Sequence, residues 1–146
     1  MAKTFSVEDG NLSSSLIKSS RAKVYKDIDL TFTAKPSGEI YKKQDAAAVK
    51  QAIKNLLLTN FGEKPFNANF GANLRAWLFE LADEDTEYDI ERAIMAAIES
   101  YEPRAKLLNV TAKVNPDGND VQVTVVFQVI STSEEVTFTT TLARLR

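Results

Sequence analysis

The chain is expected to fold as an α+β domain: a small helical layer packed on an antiparallel C-terminal β-meander, with a short N-terminal strand pair. Three observations predict this. Apolar residues recur at helical spacing from about 46 to 101, and after Arg104 the apolar period falls to two. Turn-type residues then cut that last region into three runs. With 146 residues the chain is long enough for one domain with a modest core.

Each element has its own signal. Residues 1–24 are rich in Ser and Lys and carry no sustained apolar period. They read as an extended arm ordered by a partner or as a floppy terminus, and both readings stay open. The domain proper then spans 25–146. Asp27-Ile28-Asp29-Leu30-Thr31-Phe32 alternates as a short strand does, Pro36-Ser37-Gly38-Glu39 is a turn, and Ile40-Tyr41 returns as a second short strand.

Asp45 is the expected N-cap of a helix running to about Thr59. Val49, Ile53, Leu56 and Leu57 form its apolar face, with Lys50, Gln51 and Lys54 mostly on the other side. Gly62 supplies the turn that ends it. A second short helix is expected over about 73–81, striped by Leu74, Trp77, Leu78 and Leu81. Thr86 and Asp89 have capping-box spacing at the start of a third helix, whose face is Ile90, Ile94, Ala97, Ile98 and Tyr101. The acidic run Asp83-Glu84-Asp85-Thr86-Glu87 complements the dipole at that helix start.

Glu102-Pro103-Arg104 ends that helix. Pro103 has no N–H to donate and biases the residue before it away from helix, so the helix stops at Tyr101 or Glu102. Arg104 offers a planar fork of donors beside a rigid corner. The corner is a local brace or a docking point, and the residues alone support both. Beyond it, Leu108, Val110, Ala112 and Val114 alternate with polar residues. Pro116-Asp117-Gly118-Asn119 turns into Val121, Val123, Val125, Phe127 and Val129. Ser131 to Glu135 turns again into Val136, Phe138, Thr140 and Leu142.

Composition narrows the function. The chain has no Cys and no His, which excludes disulfides, thiol nucleophiles, Cys/His zinc sites and Ser-His-Asp triads. A net charge of −2 gives no footprint for nucleic acid, and no apolar run reaches membrane-spanning length. Met1 to Phe5 lacks the apolar core of a signal peptide, so function without secretion is expected. Asn11-Leu12-Ser13 and Asn109-Val110-Thr111 are then chance matches to the glycosylation triplet. Neither a GxxxxGK[ST] loop nor a GxGxxG is present, so no cofactor or metal is expected and the repertoire favours a structural or binding role.

Three features are candidates for function. A three-stranded meander has two edges of unpaired main chain, and the Thr-rich last strand has no later element in sequence to cover it. An open edge accepts a strand from another chain. The alternative is an edge guarded by charged residues. The Glu-Pro-Arg corner is the second feature. The third is the carboxylate group Glu80, Asp83, Glu84, Asp85 and Glu87, which as a contiguous run at a helix start reads as a solvated cap rather than the separated pair a glycosidase needs. Trp77, Phe61, Phe66, Phe70 and Phe79 read mostly as core, because a base-stacking platform needs interleaved basic residues.

The run from Asp45 through Asn60-Phe61-Gly62-Glu63-Lys64-Pro65-Phe66 and Phe70-Gly71 to Leu78-Phe79-Glu80 resembles the baseplate wedge, sheath-initiator family of contractile phage tails. T4-type myophages carry its best-known members, and a related subunit occurs in the type VI secretion baseplate. The family hallmark after the last helix is Glu-Pro-Arg, here Glu102-Pro103-Arg104. The loop departs from the family's usual Gly-Glu-Arg-Pro-Phe by carrying Lys64. The resemblance covers about 25–146 and implies a non-enzymatic virion protein of the tail baseplate, assembled in the host cytoplasm.

It further implies that Glu102, Pro103 and Arg104 dock on a helical core bundle made by other wedge proteins. The strands holding Val121, Val123, Val125, Phe138, Thr140 and Leu142 would template the first ring of sheath subunits. The tail tube and other wedge proteins are further implied partners. A lysozyme-like cell-wall hydrolase and the equivalent subunit of a type VI secretion or phage-like bacteriocin baseplate are the alternatives.

Overall fold

The structure, a computed structural model, describes residues 25–80, 83–115, 118 and 120–143. The arm at 1–24, Leu81 and most of the Pro116–Asn119 turn therefore lie outside the described residues. The order of elements is β1 (Lys26–Ile28), β2 (Lys42–Gln44), α1 (Ala46–Leu58), α2 (Leu74–Trp77), α3 (Glu84–Tyr101), β3 (Ala105–Asn115), β4 (Asp120–Val129) and β5 (Glu134–Ala143). Antiparallel β1 and β2 form one small sheet, and a second sheet has the order β3-β4-β5. This is the α+β arrangement expected.

One face of the large sheet packs on the helices. Val49, Ile53, Leu56 and Leu57 of α1 and Ile90, Ile94, Ala97 and Ile98 of α3 meet Val110, Ala112, Val121, Val123, Val125, Phe127, Val129, Phe138 and Leu142 in one core. The opposite face carries Thr111, Lys113, Gln122, Thr124, Thr137 and Thr139, the polar-out alternation of a half-covered antiparallel sheet.

Several local expectations change. Strand β2 starts at Lys42 rather than Ile40, because Tyr41 N turns to the Thr33 carbonyl and Ile40 pairs with Ala34 of the intervening loop instead of with β1. Asp45 does not cap α1 with its side chain. Its Oδ1 accepts from Tyr25 N at 3.1 Å while its own N donates to Tyr25 O at 2.8 Å, joining the start of β1 to the start of α1. Gln51 is buried, not solvated: its Nε2 donates to Ile28 O at 2.8 Å and its Oε1 accepts from Leu30 N at 3.4 Å. It anchors the end of β1 on the helix.

The α2 helix is one turn long, closed by Phe79 N and Glu80 N on the carbonyls of Ala76 and Trp77. Helix α3 starts three residues earlier than the Thr86/Asp89 spacing predicts. Asp83 is its N-cap and its Oδ1 accepts from Thr86 N at 2.8 Å. A register shift between Leu107 and Asn109 makes Leu108 a bulge. Leu107 and Val110 therefore face inward and Leu108 is exposed, against simple alternation.

Candidate functional site

The corner after α3 is built around Glu102. Its backbone N–H donates to Ile98 O at 2.9 Å and finishes the helix, and its side chain is buried against the chain that turns at Pro103. Arg104 Nε donates to Glu102 Oε1 at 2.6 Å and Nη2 donates to Oε2 at 2.6 Å, a bidentate pair. The Glu102 carboxylate holds the Arg104 guanidinium above its already high ordinary pKa, with the charge of Asp27 adding to the effect. The Tyr25 ring centroid lies 5.7 Å from the guanidinium carbon. Arg104 O accepts from Ile130 N at 3.0 Å, so the corner is tied to the loop between β4 and β5. The brace reading is thus realised. Arg104 keeps 30% of its side chain exposed, and its Nη1 makes no hydrogen bond among the described residues.

The loop between α1 and α2 leans on the same end of α3. Tyr101 Oη donates to Asn69 O at 3.0 Å, and its ring meets Phe70 edge-on at 5.1 Å. Lys64 Nζ sits 3.9 Å from the Phe70 ring centroid, so the Lys in the place of the family's Arg makes a cation–π contact. The other loop aromatics are not core. Phe61 and Phe79 are exposed and Phe66, at φ 64, is fully so. Periodicity cannot find this, because outside a helix or strand spacing says nothing about which way a side chain points.

The two edges of the large sheet differ. Ala112 N donates to Glu91 Oε1 at 3.0 Å and Val114 N donates to Glu87 Oε1 at 2.8 Å, so helix α3 closes the outer edge of β3. These bonds also set the phase of the ladder. Neighbouring residues of a strand point their main-chain groups to opposite sides. If Ala112 and Val114 point outward, Thr111 and Lys113 bond their partners Thr124 and Gln122 in β4. Val121, Val123 and Val125 then face β5 and bond Leu142, Thr140 and Phe138.

Main-chain groups left free on β5 therefore belong to Thr137, Thr139 and Thr141, whose side chains are exposed. The strand residues named from the sequence lie elsewhere. Val121, Val123 and Val125 lie in the central strand with both sides paired, and their side chains are core. Phe138 and Leu142 are buried as well, and Thr140 is half-buried. Beside β5 runs a cleft of about 460 Å³ lined by Leu30, Ala47, Lys50, Lys54 and Phe138, among others. Lys50 Nζ is 5.9 Å from the Phe138 ring centroid there.

The acidic run does structural work. Asp83 caps α3, and the Thr86 N–H holds its carboxyl below the usual carboxylate range. Glu87 is bound to β3. No group of His, Cys, Asp and Glu among the described residues could hold a metal ion.

Residues 43–134 match the family of the baseplate wedge protein gp25. The chain belongs to the gp25 family of baseplate wedge proteins. It is 28% identical over 114 residues to the baseplate wedge protein gp25 of Enterobacteria phage T4, covering 78% of this chain and 86% of that one. Among solved structures it is similar to a chain of the anti-feeding prophage baseplate, with TM-score 0.58, 20% identity and coverage of 83% and 87%. A chain of the post-contraction pyocin R2 baseplate gives TM-score 0.53 and 17% identity over 82% of this chain and 99% of that one.

A Geobacter sulfurreducens protein provisionally named a tail lysozyme gives TM-score 0.60 and 24% identity, covering 67% of this chain and 89% of that one. At that identity the likeness is one of fold. The gp25-family match includes the α1–α2 segment, the corner, β3 and β4 and stops at Glu134, where β5 begins, so the corner lies within it and the β5 edge beyond it.

Proposed function

We propose that this gp25-family chain is a structural wedge subunit that joins a contractile-tail baseplate to its sheath. A sheath strand adds at the free edge of β5, and the Glu102-Pro103-Arg104 corner docks on the core bundle of other wedge proteins. The observation that carries the reading is the asymmetry of the large sheet. Glu87 and Glu91 occupy the outer amides of Val114 and Ala112 in β3, whereas the outward main chain at Thr137, Thr139 and Thr141 meets nothing among the described residues. An extended segment laid along β5 gains main-chain bonds, and the adjoining cleft with Lys50 and Lys54 favours an acidic side chain from that segment. At the corner, Nη1 of Arg104 is the donor left for a carbonyl or carboxylate of the core bundle.

This subunit acts without catalysis. Asp83 and Glu87, two of the carboxylates a hydrolase would need, are committed to capping α3 and holding β3. The test is co-expression of the tagged full chain with the sheath and wedge proteins encoded beside it. Thr139→Pro removes an outward N–H without touching the ladder and should lose the sheath protein while keeping the wedge proteins. Arg104→Lys keeps the charge but not the fork and should do the reverse. Recovery of both partners by both variants overturns the assignment. Cell-wall lysis by the purified chain, abolished by Glu80→Gln, would establish the hydrolase instead.

A further inference from the structure

We propose that Glu87 and Glu91 determine the one-sidedness of the sheet: they seal β3 against strand addition and so keep copies of this chain from stacking edge to edge. The geometry is commensurate. Glu87 and Glu91 are four residues apart on one face of α3, which spans about 6 Å of helix. Val114 and Ala112 are two residues apart on one side of β3, which spans about 6.7 Å of strand. The earlier glutamate takes the later amide, so helix and strand run in opposite senses and the two bonds repeat in step. Continuing the step places Met95 opposite Val110, where both side chains join the core and the helix has no acceptor to offer.

Each carboxylate is half-buried and bonds a main-chain N–H that would otherwise point out of the sheet. An edge with two successive outward donors taken is a poor template for another strand. A sheet with two free edges of complementary sense has the opposite property. The β5 edge of one copy can add to the β3 edge of the next, a head-to-tail contact that does not close and grows into filaments. Sealing β3 removes the receiving half of that contact while leaving β5 available. The inference rests on the strand-addition reading only in naming β5 as the edge left open, and its test needs neither sheath nor wedge protein.

The test compares the full chain with Glu87→Ala/Glu91→Ala and Glu87→Gln/Glu91→Gln by sedimentation over a range of concentration and by amide exchange. The Ala pair should sediment as a concentration-dependent series of larger species, and at low concentration the Ala112 and Val114 amides should exchange at least about tenfold faster than in wild type. The Gln pair keeps an oxygen acceptor at each site and should sediment as wild type does. An Ala pair that is folded by circular dichroism and sediments as wild type at every concentration overturns the proposal. Equal self-association by the Gln pair overturns it too, because the amide acceptors would then be irrelevant. If the Ala pair does not fold, the single Ala variants are read by the same two criteria.

Discussion

Arg104 and Glu102 grip each other two residues apart across a proline, with Nε and Nη2 each 2.6 Å from a carboxylate oxygen. Only 6% of the Glu102 side chain reaches solvent. Removing the arginine leaves that carboxylate sealed and unpaired. For a fully sealed pair this costs about 3–5 kcal/mol. Because Arg104 is 30% exposed, Arg104→Ala should cost less, about 2 kcal/mol, read from the urea midpoint. An unchanged midpoint would refute the brace. Loss of assembly in Arg104→Ala would then have two causes, which is why Arg104→Lys is the cleaner variant for docking.

Gln51 fastens the N-terminal strand pair to α1 through Ile28 O and Leu30 N. Gln51→Leu should fit the helix face yet orphan both main-chain groups, lowering stability by about 1–3 kcal/mol. Limited proteolysis checks where the damage lies, with new cleavage expected between β1 and β2 and none in the large sheet. Cleavage spread evenly over the chain would contradict a local anchor.

Gly71 is buried at φ 120, and a Cβ there would run into the carbonyl of Thr59. Both the backbone conformation and the space exclude a side chain. Gly71→Ala should destabilise by about 2–4 kcal/mol, the sum of left-handed strain and overpacking. Thermal unfolding gives the measure, and a wild-type midpoint would mean the loop moves away at no cost.

Acid stability follows from three carboxylates. Backbone N–H bonds from Thr31, Asn60 and Thr86 hold Asp29, Glu63 and Asp83, respectively, below the usual carboxylate range. Each pKa is depressed in the folded chain. The stability they contribute is therefore present above the unfolded value near about 4 and is lost as pH falls through the lower folded value. Asp83→Asn keeps the cap acceptor but not the titration. It should lower the urea midpoint at pH 7 modestly, flatten its decline below about pH 4 and converge on wild type in acid. A decline as steep as wild type would remove Asp83 from the account.

The β-meander was readable because period-two alternation is enforced by burial of one face, as Val121 through Val129 demonstrate. Leu108 escaped that logic, since one bulge residue flips the phase and leaves no trace in local composition. The helix end at Tyr101 was readable because a proline acts on its immediate neighbours. The start of α3 was not, because Asp83 and Thr86 are both good caps and the choice depends on where the chain arrives from α2. The outward main-chain groups of β5 were also not legible from pattern alone. Alternation tells which side chains face the core, but not which main-chain groups face outward.

By itself the sequence determined the α+β layout, the core faces of α1, α3 and the three long strands, the stop at Pro103 and membership of a recognisable family. These follow from local periodicity and from residues whose covalent structure limits the backbone. Only the tertiary structure decided that Glu102 holds Arg104, that Gln51 is an anchor, that the loop aromatics Phe61, Phe66 and Phe79 stand in solvent, and that Glu87 and Glu91 close one edge of the sheet while Thr137, Thr139 and Thr141 line the other. Each of these depends on a meeting of elements distant in sequence or on the direction of one side chain, and no periodicity encodes either.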